Sequence, residues 1–296
     1  MNKGILYMIL SGLCFIVVNF LVKILAGGPD QSLFPGLQRY PAHELVLGRS
    51  IVSFVISLAI IKQRKLPVFG FNKKWLIIRG ATGTIALTIF FYTIQYLPLA
   101  IATTVQYLAP VFTVIFAIVI LKEKVKKIQW FFIAMAFLGV LMIGLDKLLA
   151  ISPEAENISY FWLGMGVLAA VFSGIAYTAI VKLKPTDAPI TIVFYFPMIA
   201  IPFMIVLCLF EFTMPKGIEW IIILVIGIFT QFAQVLLTKA FHEGSASTIS
   251  PFQYFGAIYA FLLGSFVFNE TLSMIVNIGI FIVVGSVIIN AIIRKT

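Results

Sequence analysis

From residue 4 to residue 293 the chain is a series of apolar runs about twenty residues long, joined by short polar stretches. That feature narrows the fold more than any motif. A helical run of this length crosses the ~30 Å hydrocarbon core of a bilayer. The runs do not alternate apolar and polar residues, as barrel strands would. Of all residues, 61% are hydrophobic and 11% charged, whereas a soluble domain carries roughly a quarter charged. There is too little polar surface to cover a water-soluble body. The expected class is an all-α integral membrane protein.

Ten spans are predicted, near 4–25, 43–61, 75–96, 98–121, 128–147, 160–182, 189–211, 218–241, 248–268 and 274–293. The first run, "MNKGILYMILSGLCFIVVNFLVKIL", imitates a signal peptide. Its apolar part is too long for one, and the "AGG" after it is a weak cleavage site, so it reads as a retained helix. Lysine and arginine in the loops set the orientation. With the N-terminus in the cytoplasm, fifteen of them fall inside and four outside: Lys23, Arg39, Lys147 and Lys216. The last two, Arg49 and Arg79, fall within spans. An even number of spans then puts both termini in the cytoplasm. The formal charge of +10 follows this bias, and no nucleic-acid partner is expected.

One sentence is written twice. Residues 106–123 read "QYLAPVFTVIFAIVILKE" and residues 253–270 read "QYFGAIYAFLLGSFVFNE". The first copy lies in span 4 and the second in span 9. Five spans apart, they run in opposite directions across the membrane. This is the pattern of inverted repeats related by a pseudo-twofold axis in the membrane plane. The expected organisation is two inverted five-helix repeats, residues 1–147 and 148–296. Chance alignment of apolar segments is the plainer alternative. The shared Gln-Tyr, the terminal Glu and the matching place in each half argue against it.

The segments "ATTVQYLAPVFTVIFAIVILKEK" (102–124) and "ASTISPFQYFGAIYAFLLGSFVFNETLS" (246–273), with "HELVLGRS" (43–50) and "RGATG" (79–83), resemble the drug/metabolite transporter superfamily and its EamA family. The resemblance covers nearly the whole chain. Pro110 and Glu123 match the family pattern; in the second copy Ala257 stands opposite Pro110, and the proline sits earlier, at Pro251. The resemblance implies a secondary transporter of small metabolites such as amino acids or organic anions, an exporter working by alternating access without ATP. It implies a multi-pass protein of the cytoplasmic (inner) membrane. Ten spans suffice for a complete pathway in a monomer, and a homodimer is equally compatible with them.

Candidate binding residues follow from the cost of polarity in lipid. A charge in a span is expensive and usually faces a cavity or a partner. Arg49 and Arg79 are therefore candidates for a carboxylate or phosphate, which guanidinium binds through two parallel hydrogen bonds. The plainer readings pair Arg49 with Glu44 and let Arg79 snorkel to headgroups. Pro110 has no N–H, so the carbonyl of Gln106 loses its helical donor and the helix should kink there; Pro251 does the same to Ser247. Polar groups near these kinks, Gln106, Tyr107, Gln253 and Tyr254, are expected to line a pathway, or else to bridge helices. Gln231 and Gln234 share a helical face with Thr238 and join the candidates; Asn19, Tyr177 and Thr178 are weaker ones. Glu123 and Glu270 read as structural.

No GxxxxGK[ST], HExxH or metal-spaced cysteine pair occurs in the sequence, so neither cofactor nor enzymatic activity is expected. No acid lies deep in a span, which speaks against an exporter of hydrophobic cations. A lipid-modifying membrane enzyme would want His, Asp or Glu clustered at one interface, and no such cluster stands out. The partners expected are a small-molecule substrate and the lipid bilayer.

Overall fold

The computed structural model describes residues 3–26, 36–97, 99–124, 127–148 and 159–267, and beyond them 274–275, 278–279, 281–282 and 285–286. All regular structure among the described residues is helical. In chain order the helices are α1 (Lys3–Ala26), α2 (Ala42–Gln63), α3 (Lys73–Tyr96), α4 (Leu99–Gln106), α5 (Ala109–Leu121), α6 (Lys127–Leu148), α7 (Tyr160–Leu183), α8 (Pro189–Cys208), α9 (Glu219–Glu243) and α10 (Ala246–Ile249). A 3-10 turn, Ser250–Tyr254, leads into α11 (Phe255–Phe266). Six of these, α1, α2, α3, α7, α8 and α9, are long and apolar enough to cross a membrane. The tenth expected span falls largely outside the described residues, and Glu270 lies outside them entirely.

The polar residues of the spans face inward, among an apolar core, and large apolar side chains also cover the outside. On α2, Arg49, Ser50, Ser53 and Ser57 are buried, whereas Ile51 and Val55 are exposed. The 3.6-residue period puts the first set on one face and the second on the opposite one. Large apolar side chains such as Phe203, Ile221 and Phe232 also point outward. Such a surface is tolerable only against lipid. Inside, the polar groups join helices. Gln231 of α9 accepts a hydrogen bond from Ser53 and donates to Ser57 at 2.8 Å, and Ser11 of α1 donates to the Ala233 carbonyl of α9 at 2.8 Å. On α3, Gly80, Thr84 and Thr88 share one face, and among the described residues the two threonines do not bridge helices through hydrogen bonds to backbone or side-chain oxygen. Both hydroxyls bond back to carbonyls four residues earlier, at 2.8 Å, and Gly80 brings the backbone up against Tyr195 of α8.

Span 4 breaks at its proline, where the sequence predicts a kink. α4 ends at Gln106, and α5 starts at Ala109 with Pro110 in its first turn. The second copy breaks around Pro251, where the chain passes from α10 through the 3-10 turn to α11. Neither expected span is a continuous helix.

The principal contacts join early helices to late ones: α1 packs on α9, α3 on α7, α2 on α8 and α5 on α7. Glycine allows the last of these to be close. A Cβ on Gly174 of α7 would sit 2.9 Å from the backbone carbon of Phe112 and 3.0 Å from the amide nitrogen of Thr113. Backbone cannot swing aside. Gly174→Val is therefore expected to destabilise the fold by about 1–3 kcal/mol through overpacking, read as a lower melting temperature in detergent.

Candidate functional site

A cavity of about 120 Å³ lies in the middle of the bundle, walled by α1, α2, α3, α4, α7, α8, α9 and the two broken segments. Six of the eight residues singled out from the sequence line it: Arg49, Arg79, Gln106, Tyr107, Gln234 and Gln253. The weaker candidates Asn19 and Tyr177 line it as well. Gln231 does not. One step round α9 from Gln234, it faces α2 and spends both ends of its amide on the serines there. Tyr254 does not line it either. Its ring is 3% exposed and packs beside that of Tyr107, centroids 6.2 Å apart, in the apolar core. The two copies of Gln-Tyr thus meet at one cavity, with both glutamines on its wall and one tyrosine behind.

The two arginines set its chemistry. Arg49 is 0% exposed and Arg79 2%. Arg79 does not snorkel; its Nη2 donates to Gln234 Oε1 at 2.8 Å. Nor is Arg49 tied to Glu44, whose carboxylate instead accepts the Thr213 amide at 2.8 Å. Among the described residues, Arg49 Nε, Nη1 and Nη2 and Arg79 Nε have no hydrogen-bond partner. Both guanidinium groups sit over the Phe196 ring, at 5.4 and 5.9 Å from its centroid, and Arg49 lies 5.4 Å from that of Phe91. Ring faces attract cations but accept few hydrogen bonds. Two more polar atoms on the wall are unpartnered among the described residues, Gln106 Oε1 and Gln253 Nε2. No described aspartate or glutamate lines the cavity.

Several charged side chains elsewhere in the bundle are well occupied, although Glu44 Oε1 has no partner among the described residues. Glu219, 2% exposed, accepts the Gln38 amide at 2.6 Å, Gln38 Nε2 at 2.9 Å, the Lys216 amide at 2.8 Å and the Tyr40 hydroxyl. Burial and that carboxylate push the Tyr40 hydroxyl's pKa upward. Asp187, between α7 and α8, accepts the Phe71 and Asn72 amides that lead into α3, at 2.6 and 3.2 Å. Glu123, after α5, accepts the Ala246 and Ser247 amides that open α10, at 3.0 and 3.2 Å. It caps a helix far along the chain. Lys23 donates to the carbonyls of Ile94 and Leu97 at the end of α3, at 3.2 and 3.0 Å, where the helix dipole favours a cation. Against this pattern Arg49 stands out, with all three guanidinium nitrogens unpartnered among the described residues.

Phe196 escaped the sequence reading. It is one of 29 phenylalanines. Its only local mark is Pro197 after it, a proline inside a membrane helix.

The comparisons with known proteins agree with this architecture. The profile of the EamA-like transporter family matches residues 2–145 and 160–292. The chain is similar to the pseudopaline exporter CntI of Pseudomonas aeruginosa, 28% identical over 260 residues, covering 88% of this chain and 85% of that protein. It is also similar to the riboflavin transporter of Vibrio cholerae, 26% identical over 257 residues, covering 85% and 80%. A solved crystal structure shares the fold at a TM-score of 0.67, with 18% identity, over 96% of this chain and 97% of the other. The chain belongs to the EamA-like transporter family and is a multi-pass membrane transporter.

Proposed function

We propose that this transporter exports a small anionic or zwitterionic metabolite across the cell membrane by alternating access between two inverted five-helix halves. The observation that carries the substrate reading is Arg49, fully buried on the cavity wall with every guanidinium nitrogen unpartnered among the described residues. An unpaired charge in a low-dielectric interior costs several kcal/mol. A protein keeps it where a ligand makes good the deficit. A hydrophobic-cation exporter would need the opposite charge there.

Support for inverted halves comes from the packing. Exchanging each early helix for the one six elements later, α1 for α7, α2 for α8 and α3 for α9, turns the α1–α9 contact into α7–α3. The same exchange turns α2–α9 into α8–α3, and it leaves α2–α8 unchanged. All of these contacts are made. A two-fold relation between residues 1–147 and 148–296 predicts that correspondence. It would place the cavity, with both proline breaks, at the axis, where such transporters bind their substrates. The loop lysines and arginines put both termini in the cytoplasm.

The test is counterflow in proteoliposomes loaded with unlabelled amino acids, organic acids or cationic drugs. Carboxylate-bearing solutes are expected to exchange with the wild type, and Arg49→Ala to lower that exchange at least a hundredfold, about 2.7 kcal/mol at 1.36 kcal/mol per decade. Exchange of cationic drugs alone, or undiminished exchange by a folded Arg49→Ala, defeats this reading.

A further inference from the structure

We infer that the solute is a small organic dianion carrying a hydroxyl or amide, and not a zwitterion; this rests on the transporter reading and narrows it.

The first argument is charge balance. The wall contributes two guanidinium groups and, among the described residues, no carboxylate. The nearest acid along α2 is Glu44, whose Oε2 is held by the Thr213 amide, and it is not on the wall. A monoanion would neutralise one arginine and leave the other buried and uncompensated. A zwitterion would be worse. Its ammonium would enter a low-dielectric space beside two cations with no acid to receive it. A dianion cancels both charges, either as two carboxylates or as one phosphomonoester, which carries nearly two charges near pH 7.

The second argument is the geometry of the unused donors. Both guanidinium groups lie over the one ring of Phe196. They are neighbours addressing a shared space, not two separate sites. Arg79 commits Nη2 to Gln234 and leaves Nε free, while Arg49 leaves all three nitrogens free among the described residues. The planar fork of Arg49 matches two oxygens of one anionic group. Arg79, already half engaged, is suited to a second, singly held oxygen.

The third argument comes from the repeated segments. Gln106 holds Ser173 Oγ through Nε2 at 2.9 Å, which fixes its amide with Oε1 unpartnered. Gln253 leaves Nε2 unpartnered. Each copy of Gln-Tyr thus brings one idle amide atom to the wall, an acceptor from one and a donor from the other. A hydroxyl can meet both, since it donates and accepts.

The experiment uses solutes that differ by one group. Malate has two carboxylates and a hydroxyl. Lactate lacks one carboxylate, and aspartate has an ammonium in place of the hydroxyl. Glycerol 3-phosphate and glycerol form the phosphate pair. Each is assayed at pH 7.5 on the purified full chain, by thermal shift in detergent and by counterflow in proteoliposomes, beside Arg49→Gln, Arg79→Gln and Arg49→Lys. Malate or glycerol 3-phosphate is expected to outpace lactate, aspartate and glycerol at least tenfold in counterflow, and alone to raise the melting temperature. Which of the two does so tells a dicarboxylate from a phosphomonoester. Both glutamine variants should lose this preference, and Arg49→Lys, which keeps the charge, should retain part of it. If aspartate or lactate equals or exceeds the dianions, the dianion inference falls while the transporter reading stands. If no solute of the series shifts melting or exchanges with folded protein, the inference falls as well, and exchange of cationic drugs alone would remove the broader reading with it.

Discussion

Arg49→Met is expected to raise the melting temperature of the substrate-free protein in detergent by several degrees. Most core substitutions do the reverse. Here the wild-type side chain is a cation with no exposure and no hydrogen-bonded partner among the described residues. Two aromatic faces compensate it in part, and Arg79, itself cationic, shares one of them. Methionine keeps the length of the side chain, fits against phenylalanine and removes the desolvated charge. Replacing buried ionic groups by apolar ones of similar volume often stabilises by about 1–4 kcal/mol, and this arginine lacks the ion-pair partner that usually limits the gain. A melt at or below that of the wild type would mean that the guanidinium is satisfied in the free protein, and the substrate argument would lose its footing.

The opposite result is expected at Glu219, although it too is a buried charge. Glu219→Ala should destabilise the fold by about 3–5 kcal/mol, the range for stripping one member from a buried, compensated charge site. Its carboxylate gathers four donors from three residues, Gln38, Tyr40 and Lys216. Removing it leaves the Gln38 and Lys216 amides and the Tyr40 hydroxyl without that acceptor, while Gln38 Nε2 keeps the Met214 carbonyl; each unsatisfied buried donor costs about 1–3 kcal/mol. The segment before α2 would come away from the start of α9. A melt within a degree of the wild type would show that the clasp contributes nothing net. The two residues separate the two uses of a buried charge: Glu219 holds the structure, and Arg49 taxes it.

Much of this was legible in the sequence for a physical reason. A bilayer dictates the length of what crosses it, so spans can be counted from apolar runs. Six of them appear as long helices close to the expected limits. Polarity in lipid is costly, so the few polar residues in spans announced themselves, and six of eight candidates reached one cavity. The proline rule located both interruptions, although it called for kinks where the helices break. What escaped depends on neighbours. Gln231 and Gln234 lie about 60° apart around α9, given ~100° per residue. That small turn sends one to the serines of α2 and the other to Arg79. Nothing in the sequence tells which of 29 phenylalanines will lie under both arginines. The clasps of Asp187 and Glu219 join loops far apart along the chain, and no local spacing predicts them.

The pairing of early helices with late ones also bears on how the chain is made. Arg79 and the glutamine that receives its hydrogen bond are separated by 155 positions. At about 5–20 residues per second of synthesis, roughly ten to thirty seconds pass between them. For about the first two thirds of that interval α3 is without the complete α7, and to its end α1 is without the complete α9. Its arginine must be sheltered by lipid headgroups, by water or by the insertion machinery. The first half is thus a newborn intermediate with its inner faces bare, and quality control at the membrane will meet it before any substrate does.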